Sequence, residues 1–371
     1  MTWEIKRHNT RRITLGGVAV GRGAPVTVQS MTNTPTQDVA ATVAQIHRLE
    51  AAGCEIVRVA VPDEDAARAV ADIKAQITIP LIADIHFDHR LAVTAARNGV
   101  DGLRINPGNI GGRDRVAKVV AVAKERDLPI RIGVNAGSLE KDLLKIHNGA
   151  TAQAMVASAM GHVALLEEFD FHEIKISLKA SDVPRTVEAY RLLASKTDYP
   201  LHLGVTEAGS LYAGTVKSAL GIGMLLAEGI GDTLRVSLTR DPVEEVRVGF
   251  EILKALGIRQ HGPEIILKAL GIRQHGPEII SCPTCGRCGF DLFGVVEAVE
   301  KALLTRPVPL KLAIMGCVVN GPGEAREADI GVAGGQGKGI LFRRGKVVRK
   351  VPQEQLVEAL LAEVDKWERE H

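Results

Sequence analysis

Between residues 26 and 257 a short apolar run ends in polar residues and gives way to a longer amphipathic segment, and this happens eight times. The predicted strands are Val26–Ser30, Ile56–Val61, Pro80–Ile85, Gly102–Asn106, Pro129–Asn135, Glu173–Lys179, Pro200–Thr206 and Asp232–Leu238. Helical segments follow them, among them Glu64–Gln76, Arg113–Arg126, Val183–Thr197 and Pro242–Leu256. Strands alternating with helices pair in parallel through right-handed crossovers. Eight such units predict an α/β fold whose N-terminal part, residues 1–257, is a closed (β/α)8 TIM-type barrel. A doubly wound open sheet is the competing arrangement.

Within the strands polar residues recur at every second position: Arg104 and Asn106; Arg131, Gly133 and Asn135; Lys175, Ser177 and Lys179; His202, Gly204 and Thr206; Arg235 and Ser237. A period of two places them on one face and the intervening Ile, Leu and Val on the other. In a barrel the apolar set meets the helices and the polar set meets the lumen, which is ordinarily layered with branched aliphatics. Cations gathered there repel one another unless an anion sits among them. Pairing with internal carboxylates such as Asp84 and Glu207 is one account. The favoured one is a deep pocket at the strand C-termini for phosphate or diphosphate.

After residue 280 the pattern changes. Phe290–Leu304 reads as a helix, Leu310–Met315 and Asp329–Val332 as strands, Ile340–Phe342 and Lys346–Val351 as a hairpin, and Gln353–Glu370 as a closing helix. This predicts a small α+β domain at 281–371. The linker, 258–280, belongs to an identical tandem repeat in which Ile252–Ile265 and Ile266–Ile279 both read ILKALGIRQHGPEI. Two units are too few for a solenoid.

The second domain carries the chemistry-bearing residues: Cys282-Pro-Thr-Cys285, and Cys317 within Met-Gly-Cys-Val-Val-Asn-Gly-Pro-Gly-Glu324. A Cys-x2-Cys turn lets two thiolates converge on a soft metal, zinc or an iron–sulfur cluster, and spacing alone does not choose between them. Five cysteines with no apolar signal core in the N-terminal residues argue against disulfides and for a cytoplasmic compartment. No stretch is apolar enough to span a membrane. A net charge of +2, from 46 basic and 44 acidic residues, gives no general attraction to nucleic acid or lipid. Cys288 extends a ferredoxin-like run but lacks the following Cys-Pro, so it reads as a bystander, and Cys54 as a small buried hydrophobe. Gly334-Gly-Gln-Gly-Lys-Gly339 lacks the strand–loop–helix context of a phosphate loop and reads as a turn.

The segments VQSMTNTPTQD, EIVRVAVP, IADIHFD, LRINPGNIG, RIGVNAGSLEKDLL, HLGVTEAG, RVSLT, CPTCGR and GCVVNGPGEAREADIG occur in that order. Together they closely resemble the bacterial 4-hydroxy-3-methylbut-2-enyl diphosphate synthases over nearly the whole chain. The resemblance implies a (β/α)8 barrel followed by a [4Fe–4S] domain. It also implies reductive ring opening and dehydration of 2-C-methyl-D-erythritol 2,4-cyclodiphosphate, with electrons from flavodoxin or ferredoxin. A homodimer in which each barrel is closed by the partner's cluster domain is implied as well, with no role for nucleic acid or membrane.

Carried over by position, Cys282, Cys285, Cys317 and Glu324 would hold the cluster. Arg58, Arg104, Arg131 and Lys217 would clamp the diphosphate, with Asn135 beside them. Asp84 and His86 would belong to the catalytic pocket, and Glu245 would be a proton donor. A carboxylate is a harder and weaker iron ligand than a thiolate, so Glu324 would be the ligand able to yield its place. The rivals are another phosphate-binding barrel synthase with a structural zinc, and an electron-transfer module on a barrel scaffold.

Overall fold

A computed structural model of the chain describes residues 5–259, 278–281, 290–303, 306, 310–316, 328–334 and 337–370. The chain divides into two compact units, Met1–Gly262 and Pro263–His371.

The first unit opens with an antiparallel hairpin of β1 (Arg12–Leu15) and β2 (Val18–Gly21). Eight parallel strands follow: β3 (Thr27–Met31), β4 (Ile56–Ala60), β5 (Leu81–Ile85), β6 (Gly102–Ile105), β7 (Ile130–Asn135), β8 (Ile174–Lys179), β9 (His202–Leu203) and β10 (Thr233–Leu234). Each pairs with its neighbour in sequence, β10 returns to β3, and a bridge between Ile176 and Leu201 joins β8 to β9. An unbroken consecutive order is a barrel; a doubly wound sheet would reverse direction from its first strand. The last two strands are shorter than the apolar pattern suggested. Beyond their ladders, Arg235 N–H still donates to Leu203 C=O at 3.0 Å.

Side-chain caps fix where the helices begin. Asp38, Asp63, Asp88, Thr151, Asp182 and Asp241 each accept a backbone N–H of the first turn. All but Thr151, which follows the helix Lys141–Ile146, stand in the loop after a strand, so there the sequence ends the strand and starts its helix in one short connection.

The hairpin, absent from the sequence reading, seals the lower end of the barrel. Ile13, Leu15 and Val20 pack against the inward Ile56 and Ile82. Also at this end Arg259 and Glu55, both buried, pair at 2.8 Å, and the same guanidinium nitrogen bonds Val26 C=O at 3.2 Å. Arg259 lies in the first copy of the tandem repeat, so that copy reaches into the barrel floor.

The second unit is a five-stranded sheet in sequence order. β11 (Glu278–Ser281), β12 (Lys311–Met315) and β13 (Ile330–Gly334) run parallel, and β14 (Lys338–Arg343) and β15 (Lys346–Pro352) complete it antiparallel. The helices Leu292–Leu303 and Leu356–Glu370 cover one core around Leu312, Ile314, Val332 and Trp367. β11 begins inside the second repeat copy, in a stretch the sequence reading had assigned to the linker. Gly334 and Gly339 face each other across β13 and β14, so the glycine-rich run joins two strands. Cys54 is buried, its thiol donating to Ile56 C=O, and burial pushes its pKa up to about 12.

Candidate active site

Strand register builds the site. Asp84, Arg104, Arg131 and Lys175 are successive partners across β5, β6, β7 and β8, one row on one face of the sheet. Partners in a parallel sheet point the same way, so this row faces the lumen. Arg58, Lys179, His202 and Arg235 join it from the other strands. Two glycines make the crowding possible. A Cβ at Gly133 would collide with the guanidinium of Arg104, and one at Gly204 with the ammonium of Lys179.

Six cations are thus buried or nearly so: Arg58, Arg104, Arg131, Lys175, Lys179 and Arg235. Among the described residues, the carboxylates within ion-pair distance of them are Asp84 and Glu245. Asp84 receives Arg104 at 3.0 Å and Arg58 at 3.5 Å. Burial alone would raise its pKa, but Arg58 and Arg104 outweigh it and hold the carboxyl at about 2. Arg104 also donates to Gly133 C=O at 3.2 Å.

Arg235 has Glu245, but Arg131, Lys175 and Lys179 have no carboxylate within ion-pair distance among the described residues, and even paired Arg104 keeps an unmet donor. Nε of Arg104, Nε and Nη1 of Arg131 and Nζ of Lys175 are buried without a hydrogen-bond partner. Burial, then the charge of Arg131, lowers Lys175 to about 7. Burial and neighbouring cations push Arg131 and Lys179 well below their ordinary values. His202 is driven down likewise and stays neutral; its Nδ1 meets Thr233 Oγ1 at 2.8 Å and its Nε2 meets Lys179 at 3.3 Å. Unpaired buried cations are costly. A ligand with several anionic oxygens would supply both the missing acceptors and the missing charge.

At the strand C-termini His86 is exposed, with Nδ1 at 3.2 Å from Arg104. Asn135 ends β7, half-buried. Behind this rim Glu140 accepts from Ser158 at 3.1 Å and lies 2.9 Å from His162, tying the loop after β7 to the helix Ala152–Glu167. Glu207, exposed on the loop after β9, adopts a left-handed backbone with φ of 50°. A non-glycine residue held there is strained, as residues near working sites often are.

The structure therefore gathers Arg58, Asp84, His86, Arg104, Arg131 and Asn135 at one end of the barrel. It does not gather Lys217, which is exposed on the outer helix Leu211–Ala227; the lumen lysines are Lys175 and Lys179. Glu245 is brought to the lumen but fully engaged. Its oxygens accept from Arg235 at 3.1 and 3.2 Å, from Ser30 at 3.2 Å and from Leu238 N–H at 3.1 Å. Both of its oxygens are thus committed to the protein's own donors, and it positions Arg235. Arg235, Lys175 and Lys179 were visible as inward polar positions of the period-two pattern, yet the family carry-over omitted them.

Among the described residues no group of three His, Cys, Asp or Glu side chains could hold a metal. Cys282, Cys285, Cys288, Cys317 and Glu324 lie outside the described residues. No helix among the described residues is long and apolar enough to cross a membrane.

Two family models match the chain: the GcpE TIM-barrel domain over residues 10–250 and the GcpE protein C-terminal domain over residues 278–366. A protein of Geobacter sulfurreducens named 4-hydroxy-3-methylbut-2-en-1-yl diphosphate synthase (flavodoxin) is 62% identical over 96% of this chain and 97% of its own. A protein of the same name from Desulfotalea psychrophila is 57% identical over 99% of this chain and 98% of its own.

Proposed function

The chain belongs to the GcpE family, the 4-hydroxy-3-methylbut-2-en-1-yl diphosphate synthases, and from that premise we propose how its residues divide the work. The enzyme is an iron–sulfur oxidoreductase of the non-mevalonate isoprenoid pathway. It opens the ring of 2-C-methyl-D-erythritol 2,4-cyclodiphosphate reductively and removes water. The zinc-bearing synthase and the electron-transfer scaffold are set aside by the relatives at this identity.

The observation that carries the assignment of substrate contacts is the set of buried cations with unpaired donors. Arg58, Arg104 and Arg131 hold the diphosphate, with Lys179 and Arg235 completing the clamp in place of Lys217. A charged hydrogen bond to phosphate contributes about 1.5–3 kcal/mol, and a fixed diphosphate also fixes where the carbon skeleton meets the rim. Asp84 orients Arg58 and Arg104, and Glu245 orients Arg235. Asn135 and His86 face the erythritol portion. Of the titratable groups at the rim, His86 and the exposed Glu207 suit proton delivery to the departing water better than the engaged Glu245.

Cys282, Cys285, Cys317 and Glu324 hold a [4Fe–4S] cluster. The donor set fits: three soft thiolates suit cluster iron, and one harder carboxylate makes one corner weaker than the rest. When bound, the cluster supplies electrons singly and a Lewis-acidic iron. Flavodoxin is the electron donor, in keeping with the names of the relatives. The protein works in the cytoplasm, where thiols stay reduced.

A homodimer is supported by an apolar stripe on the outer helix, where Tyr212, Val216, Leu220 and Met224 are exposed at successive turns. Sedimentation of the full chain tests it, and a monomer at micromolar concentration would reject it.

Iron counting after anaerobic reconstitution tests the ligand set. Cys282→Ser, Cys285→Ser and Cys317→Ser should each lose the cluster, and Cys288→Ser should keep it. Loss in Cys288→Ser with retention in Cys317→Ser would overturn the assignment.

A further inference from the structure

Met31 ends strand β3, which lies between β4 and β10 in the sheet, and its register partner on β4 is Arg58. Its sulfur accepts from two nitrogens of Arg58, at 3.1 Å (Nε) and 2.9 Å (Nη2). Nη1 of Arg235, arriving from the β10 side, lies 3.7 Å away. A thioether thus stands between two guanidiniums that repel each other. The proximity of Arg235 is among the causes that, after burial and against the pull of Asp84, lower Arg58 to about 10.

Thioether sulfur is a weak, neutral acceptor. Most polar side chains able to bridge two arginines would do it with an oxygen, and a carboxylate there would also neutralise them. Methionine directs the donors without supplying charge. Each guanidinium already has one carboxylate, Asp84 for Arg58 and Glu245 for Arg235. A further anion at Met31 would close the electrostatic account of this side of the lumen and remove its demand for a ligand.

We propose that Met31 is a positioning residue, holding Arg58 and Arg235 side by side and leaving their charge for an anionic ligand. The proposal rests on the reading that the lumen binds the cyclic diphosphate. It makes the thioether a specificity device: the site is tuned for a polyanion because its own bridging group is uncharged.

The test is calorimetric titration of the full-length, cluster-loaded protein with 2-C-methyl-D-erythritol 2,4-cyclodiphosphate, comparing Met31→Leu, Met31→Gln, Met31→Glu and Arg58→Ala. Met31→Leu nearly conserves volume, so the fold should survive. It should raise Kd about 3- to 10-fold, the size of one modest hydrogen bond. Met31→Gln restores a neutral acceptor and should return Kd to within about 2-fold of the parent. Met31→Glu should weaken binding at least as much as Arg58→Ala, because it supplies the charge the ligand would bring. A purely structural role would not be rescued by Gln and would not distinguish Gln from Glu.

If Arg58→Ala weakens binding while Met31→Leu and Met31→Glu both bind like the parent, the proposal for Met31 fails and the lumen reading stands. If Arg58→Ala itself binds like the parent, the lumen reading fails first.

Discussion

The barrel buries charge in two places and treats it differently. At the floor Arg259 and Glu55 lie 2.8 Å apart and the carboxylate also takes Val28 N–H, also at 2.8 Å, so the pair is matched charge for charge. In the lumen six cations have only Asp84 and Glu245 within ion-pair distance among the described carboxylates, so positive charge is in excess. Donor atoms without an acceptor occur in both places, Nε and Nη2 of Arg259 included. Both sets are buried, the lumen row placed by strand register and the floor pair by the loop after the helix Pro242–Ala255 meeting the start of β4. A matched pair fixes the fold, whereas an excess of one sign is a standing demand for a ligand. Burial alone therefore does not mark a site; the imbalance does.

The largest effect expected from this contrast is at the floor. Arg259→Ala leaves Glu55 buried without its partner and should cost about 3–5 kcal/mol of stability, read from denaturant midpoints. Arg131→Ala in the lumen removes a cation that had no carboxylate partner, so it should cost little or add stability. Equal losses from the two variants would erase the distinction.

Ligand affinity should show the opposite ranking. Arg104→Ala and Arg131→Ala should each weaken binding of the cyclic diphosphate by roughly 10- to 150-fold, the worth of one charged hydrogen bond. Lys217→Ala should leave it unchanged. A titration in which Lys217→Ala matters and Arg131→Ala does not would return the clamp to the outer helix.

The next effect is a matter of protons. The folded Lys175, at about 7 against an ordinary 10.5, binds fewer protons than the unfolded chain between those values. This group therefore adds stability as pH rises through that window and adds none below it, where both states are charged. A bound polyanion reverses the preference by favouring the ammonium. Binding near pH 8 should then take up close to one proton, measured by calorimetry in buffers of different ionisation enthalpy. In Lys175→Met that uptake should vanish.

The smallest effect concerns the tandem repeat. Deleting Ile266–Ile279 keeps Arg259 with Glu55 and still leaves a Glu-Ile-Ile-Ser run to begin β11. Only Gln260-His261-Gly262-Pro263 would then separate the two elements. The floor pair is untouched, so barrel stability should change by no more than about 0.5 kcal/mol. A large loss would show that the second copy contributes to the fold itself.

Much of this architecture is written in local patterns. Strand–helix alternation repeated eight times favoured a parallel barrel over an open sheet, and inward–outward alternation in five strands marked the lumen face, because side-chain direction in a strand depends only on position. The same pattern placed Arg104, Arg131, Lys175, Lys179 and Arg235 on the inner face before any coordinates. The Cys282 and Cys285 thiolates read as a soft-metal site from residue type and spacing, whereas Glu324 as a further ligand came only from the family resemblance, and all of these lie outside the described residues. What the chain could not disclose locally was which charges would meet. Ser30 and Glu245, or Arg259 and Glu55, are some two hundred positions apart in sequence and adjacent in space. Only closure of the barrel brings them together. That closure turned Glu245 into a support for Arg235, left Lys217 outside and set the β1–β2 hairpin as a floor. Pairing in a buried, weakly screened interior is decided by a few ångströms, a scale that residue order does not carry and tertiary packing does.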